Sequence, residues 1–488
     1  MTGHHLGSHR RLACYTLQAE SAHAIFTGQG DGLYDTRILR APNGLPALPG
    51  TSIAGVLRHL CAISAEPGRR VEDLFGNAGG THDQRSRVRV TWALAQNSRG
   101  QCPQGLARPD SGNSPVEHCL LSEQPLVRQR VSLSHRGTAR ENHLFDETLV
   151  PAGCRYTGFL ELHADTREQL DADWALLMTA LQHPLLRLGH GTRNGHGRMR
   201  CIELCSRAVD LASAEGLKLW QKRPRTRDEA RESEWFDERP LASDAASAPM
   251  AHYRVALKAE DAWAVGGGQQ KVKSDAANLA WRPQSEPVIQ WSSDQKAELV
   301  QRLVLPATAV KGALAHRVAF HHRRLSGQWA HELLAAGGEP APSQAVQTLF
   351  GFSDDEQEEA RAGQLWLDDL HFALTREESS EADPVRVHLQ HHNRIDRFTG
   401  GVMDGGLFST ESLWRTPMTL TLYCPDLPAE TDPTLRRALE CALDDLTQGR
   451  LPLGAGGSRG FGAMSGHWEA QHLPAVASAK PQTEESTA

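Results

Sequence analysis

Two periods of apolar and polar residues run along this chain, and they predict its elements. Residues 12–26 alternate, imperfectly, as a strand. So do Val88-Arg-Val-Thr-Trp-Ala-Leu, Tyr156-Thr-Gly-Phe-Leu-Glu-Leu and Tyr253-Arg-Val-Ala-Leu-Lys. Helical spacing replaces alternation at Ile53, Val56, Leu57 and Leu60, with Thr51 placed to cap that helix. It returns at Leu170, Trp174, Leu177 and Leu181, and again over 435–446. Strand, helix, strands, helix, strand is a βαββαβ order, read twice, and predicts two α+β ferredoxin-like domains.

The doubling is visible in the residues themselves. Leu48-Pro-Gly-Thr-Ser-Ile-Ala-Gly-Val-Leu-Arg-His59 returns as Leu305-Pro-Ala-Thr-Ala-Val-Lys-Gly-Ala-Leu-Ala-His316. A Leu-Phe-Gly follows each, at 74–76 and 349–351, then a Leu-Phe at 144–145 and at 407–408. Last comes a glycine-rich loop, Leu188-Gly-His-Gly-Thr-Arg-Asn-Gly-His-Gly-Arg-Met199 against Leu453-Gly-Ala-Gly-Gly-Ser-Arg-Gly-Phe-Gly-Ala-Met464, with four glycines in register. Four blocks in one order mark two homologous domains.

Composition then places the boundaries. The chain has 488 residues, 39% hydrophobic and 23% charged. That is globular, and too long for one ordinary domain. It excludes a wholly disordered chain, a collagen and a membrane channel, since no apolar run nears the roughly 18 residues of a span. The first domain is expected over 1–205 and the second over 251–469. Between them, 206–250 reads as a charged linker, and 470–488, rich in Ala, Ser, Thr and Pro, as a disordered tail. No apolar leader precedes the first strand, and the nine cysteines lack any C-x-x-C, so a cytoplasmic, reduced setting is expected. The net charge of −7 is unevenly spread: the first 205 residues hold 22 arginines and no lysine. Arginine is the better bidentate phosphate ligand, although a GC-rich genome produces the same bias.

Gly44-Leu-Pro-Ala-Leu-Pro-Gly-Thr-Ser-Ile-Ala-Gly-Val-Leu-Arg58 and Asp396-Arg-Phe-Thr-Gly-Gly-Val-Met-Asp-Gly-Gly-Leu-Phe408 resemble motifs of the RAMP superfamily, the repeat-associated proteins of CRISPR systems. The resemblance is nearest to the backbone subunit of type III effector complexes, here as a fused double-domain version. It implies a palm bearing the ferredoxin-like sheet, a thumb hairpin that wedges into a guide–target duplex, and cleavage of target RNA beside each wedge. The implied partners are a CRISPR guide RNA, complementary target RNA and other effector subunits, with no membrane. It also implies catalytic aspartates ahead of the Leu-Pro helices: Asp35, with Asp31 second, and Asp275 in the second domain. An exposed aspartate is a poor base at neutral pH and suits Mg²⁺ or a similar divalent cation better; without the resemblance, the bare residues read first as turn aspartates. A non-catalytic guide scaffold, and a guide-processing ribonuclease using His23, remain the alternatives.

Candidate RNA-binding residues follow from charge and position. They are Ser52, Arg58 and Lys311 at the helix starts, and Arg193, Arg198 and Arg459 in the glycine loops, whose backbone N–H groups could approach phosphate. The thumb candidates are 131–144 and 391–407, contributing Arg136, Arg394, Arg397, Thr399 and Met403, with Phe398, Val402 and Met403 as an apolar wedge. His190, His196, His391 and His392 fall near these surfaces. Cys102, His118 and Cys119 could help hold zinc, but three ligands without a C-x-x-C fall short of a structural site. The sequence leaves the metal ligands unknown.

Overall fold

A computed structural model describes residues 7–28, 37–65, 69–77, 84–109, 114–133, 139–239, 250–266, 279–329, 343–354, 359–373, 385–425 and 433–472. The chain divides into two compact units. The first comprises Met1–Ala248, Gln284–Val304 and His371–Leu374; the second comprises Pro249–Pro283, Leu305–Leu370 and Thr375–Ala488.

In the first unit His9–Ala19 runs centrally, antiparallel to Arg155–Ala164 on one side and Met199–Asp210 on the other. Val88–Val90 and Ala93–Ala95 extend the sheet beyond Arg155–Ala164. Numbered along the βαββαβ order, the strands lie 4-1-3-2, the ferredoxin-like arrangement the sequence predicts. Gly158 makes this sheet possible, because a Cβ there would stand 2.7 Å from the buried Tyr15 hydroxyl. Helices Gly50–Ser64 and Arg167–Leu181 cover one face through Ile53, Leu57, Leu60, Leu170, Trp174 and Leu177. The second helix starts one turn earlier than its apolar spacing suggests, because Thr166 caps it by accepting from Gln169 N at 3.2 Å. Thr51 is no cap: Pro49 holds that position and no side chain caps the helix.

The reading of 206–250 as a linker does not hold for 206–239. Helices Ala214–Gln221 and Arg227–Glu232 fold back over the outer sheet face, the latter started by a Thr226/Glu229 capping box. Ala230, Trp235 and Phe236 pack there on Leu12, Cys14, Cys205 and Val209. The charges outnumber these few apolar residues, and the aromatics still decide the packing.

A second addition to this unit comes from far along the chain. The hairpin of Ser285–Trp291 and Ala297–Leu305 seats Ile289 N on Ala152 O at 2.8 Å and Ala297 N on Ser98 O at 2.8 Å. Trp291 Nε1 donates to Gly153 O at 2.7 Å, and the Arg155 guanidinium lies 4.1 Å over its ring. Gly153 is required, since a Cβ there would stand 1.8 Å from Ile289 O.

The second unit repeats the plan. Met464–Gln471, His252–Ala259, Pro417–Tyr423 and Trp366–Asp368 lie in the same 4-1-3-2 order, all antiparallel. Helices Ala307–Leu325 and Pro433–Thr447 pack on one face through Val310, Leu314, Val318, Leu435, Leu439 and Leu446. Along His252–Ala259 the alternation is clean: Tyr253, Val255 and Leu257 are buried, Arg254 and Lys258 exposed. The outer face is thus covered in the first unit and open along this strand in the second.

Candidate nucleic-acid interface

The most exposed apolar surface in the described residues is a hairpin tip of the second unit. Arg386–His392 pairs with Phe408–Trp414, from Arg386↔Trp414 to His392↔Phe408. The chain between them is folded by its own side chains. Asp396 Oδ1 accepts from Phe398 N at 2.9 Å and from Thr399 N at 2.8 Å and Oγ1 at 3.0 Å. These bonds hold the Asp396 carboxyl below its ordinary range and make it a turn builder. Arg394 N donates to Gly406 O and Met403 N to Arg394 O, both at 2.9 Å. Polar bonds so arranged leave the apolar side chains outward: Phe398 is 99% exposed, and Ile395, Val402, Met403 and Leu407 are about half exposed or more. Arg394 and Arg397 are exposed on the same tip. An apolar tip flanked by guanidinium groups can part a base step while its arginines meet phosphate.

At the foot of this hairpin is a cleft of about 370 Å³. His392, Arg394, Phe408 and Thr410 form one wall, and Gly456, Ser458, Arg459 and Phe461 of the glycine loop the other. His392 stacks on Phe408 with ring centroids 5.0 Å apart, and the Arg394 guanidinium lies 5.7 Å from the same ring. Stacking platform and cation suit an unpaired nucleotide.

The first unit fills the matching place with charge. Its hairpin, Leu126–Leu133 with Ala139–Leu149, carries Arg128 and Arg130. Arg130 pairs with Glu147, and its Nη2 lies 2.8 Å from His196 Nε2. Arg128 makes a two-pronged contact with Glu286, Nε to Oε2 at 2.9 Å and Nη2 to Oε1 at 2.8 Å. His196 is fully buried among them, so it offers nothing to a ligand, while His190 is exposed beside Phe26. Arg136 lies outside the described residues.

The two glycine loops agree bond for bond. Leu188 N reaches Gly197 O at 2.8 Å, as Leu453 N reaches Gly462 O at 2.9 Å. His190 N bonds Ala24 O at 2.8 Å, and Ala455 N bonds Ala264 O at 2.9 Å. A Cβ on Gly189 or Gly454 would stand 2.2 Å from those same alanine carbonyls. The glycines therefore let the loop lie against the end of the first strand, and these N–H groups already have protein partners. What the loops can offer RNA is side chains. Arg459 is exposed in a 3-10 turn, whereas Arg198 Nε pairs with Glu20 at 2.8 Å. Arg193 is half-buried.

Arg58 belongs to a larger group than its own helix suggests. A cleft of about 610 Å³ in the first unit brings Thr51 and Arg58 together with Arg10, Arg85, Arg89 and His163. Glu161 opposes them, 3.2 Å from Arg10 and 4.0 Å from Arg89, and Glu72 stands 3.8 Å from Arg58. The run Arg85, Arg87, Arg89 was the available signal, as concentrated charge; only Arg89 lies in the strand Val88–Val90, and Arg87 turns away to bond Asp173 at 2.5 Å. Ser52 is half-buried and does not line this cleft. Lys311, expected at the RNA, is buried with Nζ 3.5 Å from Leu365 O.

Asp35, Asp31 and Asp275 lie outside the described residues. His23 is buried, with Nε2 2.7 Å from the Tyr156 hydroxyl, and burial drives its pKa down to about 3. A neutral, enclosed imidazole is unsuited to general acid–base work at pH 7. The Cys102 and Cys119 thiols face the carbonyls of Leu94 and Pro125, and burial pushes them up to about 12 and about 11. Among the described residues, no three or more His, Cys, Asp or Glu side chains gather to hold a metal. No described helix is long and apolar enough to cross a membrane.

Comparison with known proteins agrees with this doubled geometry. The family model of the RAMP superfamily matches residues 16–200 and again 258–465. No curated protein matches the chain. With both matches spanning most of its length, the chain belongs to the RAMP superfamily, a family of CRISPR-associated RNA-binding proteins, and carries the family's domain twice.

Proposed function

We propose that this protein is a guide-RNA-binding backbone subunit of a type III CRISPR ribonucleoprotein and cuts complementary target RNA. The observation that carries the proposal is the hairpin tip at 393–407. It stands on a ferredoxin-like palm and presents Phe398, 99% exposed, on a tip that also exposes Arg394 and Arg397. Among the described residues nothing packs over the Phe398 ring, and a wedge between base steps would put such a tip to use. The arginine cleft at Arg10, Arg58, Arg85 and Arg89 would hold guide phosphates, and the His392/Phe408 cleft a displaced nucleotide. Other effector subunits complete the particle.

RNA brings its own nucleophile, the 2′-hydroxyl. A nucleotide displaced beside the wedge can align that hydroxyl with its phosphorus. Asp35 in the first domain and Asp275 in the second would orient it. A divalent cation such as Mg²⁺, bound at these carboxylates, would supply charge neutralisation. The buried, neutral His23 weighs against a guide-processing nuclease.

The test is a purified guide-loaded complex with end-labelled target RNA. Asp35→Ala should abolish one cut and Asp275→Ala another, one thumb spacing away, each losing on the order of 100-fold or more in rate with target binding retained. Chelation of divalent metal should match the double variant. Unchanged cutting by Asp35→Ala moves the role to Asp31. No cutting by the parent complex leaves a scaffold.

A further inference from the structure

The outer sheet face of the first unit carries two thiols that RNA binding does not use. Cys14 and Cys205 are direct cross-strand partners on the first and last strands. Opposed residues of an antiparallel pair have Cα atoms roughly 4.5–5.5 Å apart, within the roughly 4.4–6.8 Å over which disulfides close. Both side chains lie on one face, under Ala230, Trp235 and Phe236. Cys205 Sγ is 3.6 Å from the Cys14 carbonyl oxygen.

The pair is buried and still reachable. A cavity of about 700 Å³ between the sheet and the 206–239 segment is lined by both cysteines and by Arg99, Asp228, Arg231 and Arg239. Arg231 is itself bonded to Glu203 at 2.9 Å. The chemistry of the pair is unlike that of its neighbours. Burial pushes Cys61, Cys154, Cys201 and Cys424 up to about 12, which keeps them protonated. Cys205 is shifted downward, first by the hydrogen bond from Cys14 and, against its burial, by the charge of Arg239; Cys14 is raised in return. A thiol that ionises more readily than the thiol set directly across from it is the arrangement that disulfide exchange needs.

We propose that Cys14 and Cys205 form a redox-modification site, a cross-strand dithiol that a small-molecule disulfide of the glutathione class, entering this cavity, converts to an intramolecular disulfide. The Cys205 thiolate attacks one sulfur of the oxidant, whose S–S bond breaks and releases one glutathione thiolate. Cys14 gives its proton to a departing thiolate and attacks the Cys205 sulfur, releasing the second glutathione. The chain loses two electrons and two protons, one given to solvent when Cys205 ionises and one passed on by Cys14; the other glutathione thiolate takes its proton back from solvent, and the oxidant leaves as two thiols. The bond ties the first strand of the sheet to the last, where the 206–239 segment departs.

The folded full-length chain is equilibrated in mixtures of reduced and oxidised glutathione, quenched with iodoacetamide, denatured and mapped by mass spectrometry. The free-thiol count should fall by two from the nine in the sequence, with one peptide joining Cys14 to Cys205. Cys14→Ser should stop at a single glutathione adduct on Cys205, and Cys205→Ser should keep the Cys14 thiol free and gain no adduct. Nine thiols surviving excess oxidised glutathione, or a linkage between any other pair, overturns the proposal on the unmutated chain alone.

Discussion

Neutralising Glu286 should loosen the first unit from a position far along the chain. Glu286 is 1% exposed, held by Arg128 through two hydrogen bonds and by His371 Nε2 at 2.7 Å. Burial alone would raise its pKa; the Arg128 charge and the hydrogen bonds from His371 and Arg128 outweigh that and hold it at about 2. Against an unfolded value of about 4.3, a gap of roughly 2 units stabilises the fold by about 3 kcal/mol at neutral pH. Removing one partner of a buried ion pair costs a similar ~3–5 kcal/mol, because the other charge stays behind in a poor solvent. Because the folded pKa is depressed, this stability is fully present above about pH 4.3 and is lost as pH falls toward 2. Glu286→Gln in the full chain should therefore lower the first thermal transition at pH 7 by roughly 6–12 °C, at about 2–4 °C per kcal/mol. The difference from the parent should shrink as scans move from pH 7 to pH 3. Arg128→Met should cost as much, and the double variant less than the two together. A shift under roughly 2 °C at pH 7, or one that is the same at both pH values, would refute the reasoning.

Other outcomes are as specific. Phe398→Ala should leave stability within about 0.5 kcal/mol, since its ring touches little, and should reduce base unstacking in a bound guide–target duplex carrying 2-aminopurine. Gly454→Ala places a Cβ 2.2 Å from Ala264 O at a φ of +87° and should cost roughly 3 kcal/mol in urea denaturation, whereas Gly460→Ala, with open space around it, should cost only about 1. Replacing Arg58 and Arg89 together by Ala should flatten the plot of log affinity against log salt by about 1.4 if each meets one phosphate of single-stranded guide.

Much of this molecule was legible in one dimension. Alternation at 156–162 and 253–258 and helical spacing at Leu170, Trp174, Leu177 and Leu181 decide locally which side of each element avoids water, so they predicted both sheets and their helices. The repeated Leu-Pro and glycine blocks announced the duplication, and the glycines turned out to be steric necessities at identical carbonyls. The tip at 393–407 was readable because its turn is built from its own Asp396, Thr399 and glycines.

What needed the tertiary structure involves partners distant in sequence. Arg128 and Glu286 are 158 positions apart, and nothing near either one marks it as half of a buried pair. Lys311 looked like a phosphate ligand, yet its helix turns it inward. Arg10, Arg58, Arg85 and Arg89 become one cleft only when a helix, two strands and the segment ahead of Val88 meet. The 206–239 segment reads as solvated charge because composition averages over residues, while burial selects Trp235 and Phe236 among them. Local sequence fixes periodicity and turns, whose energies are short-ranged. Which charge is buried and which surface is covered depends on contacts the chain makes only after it has closed on itself.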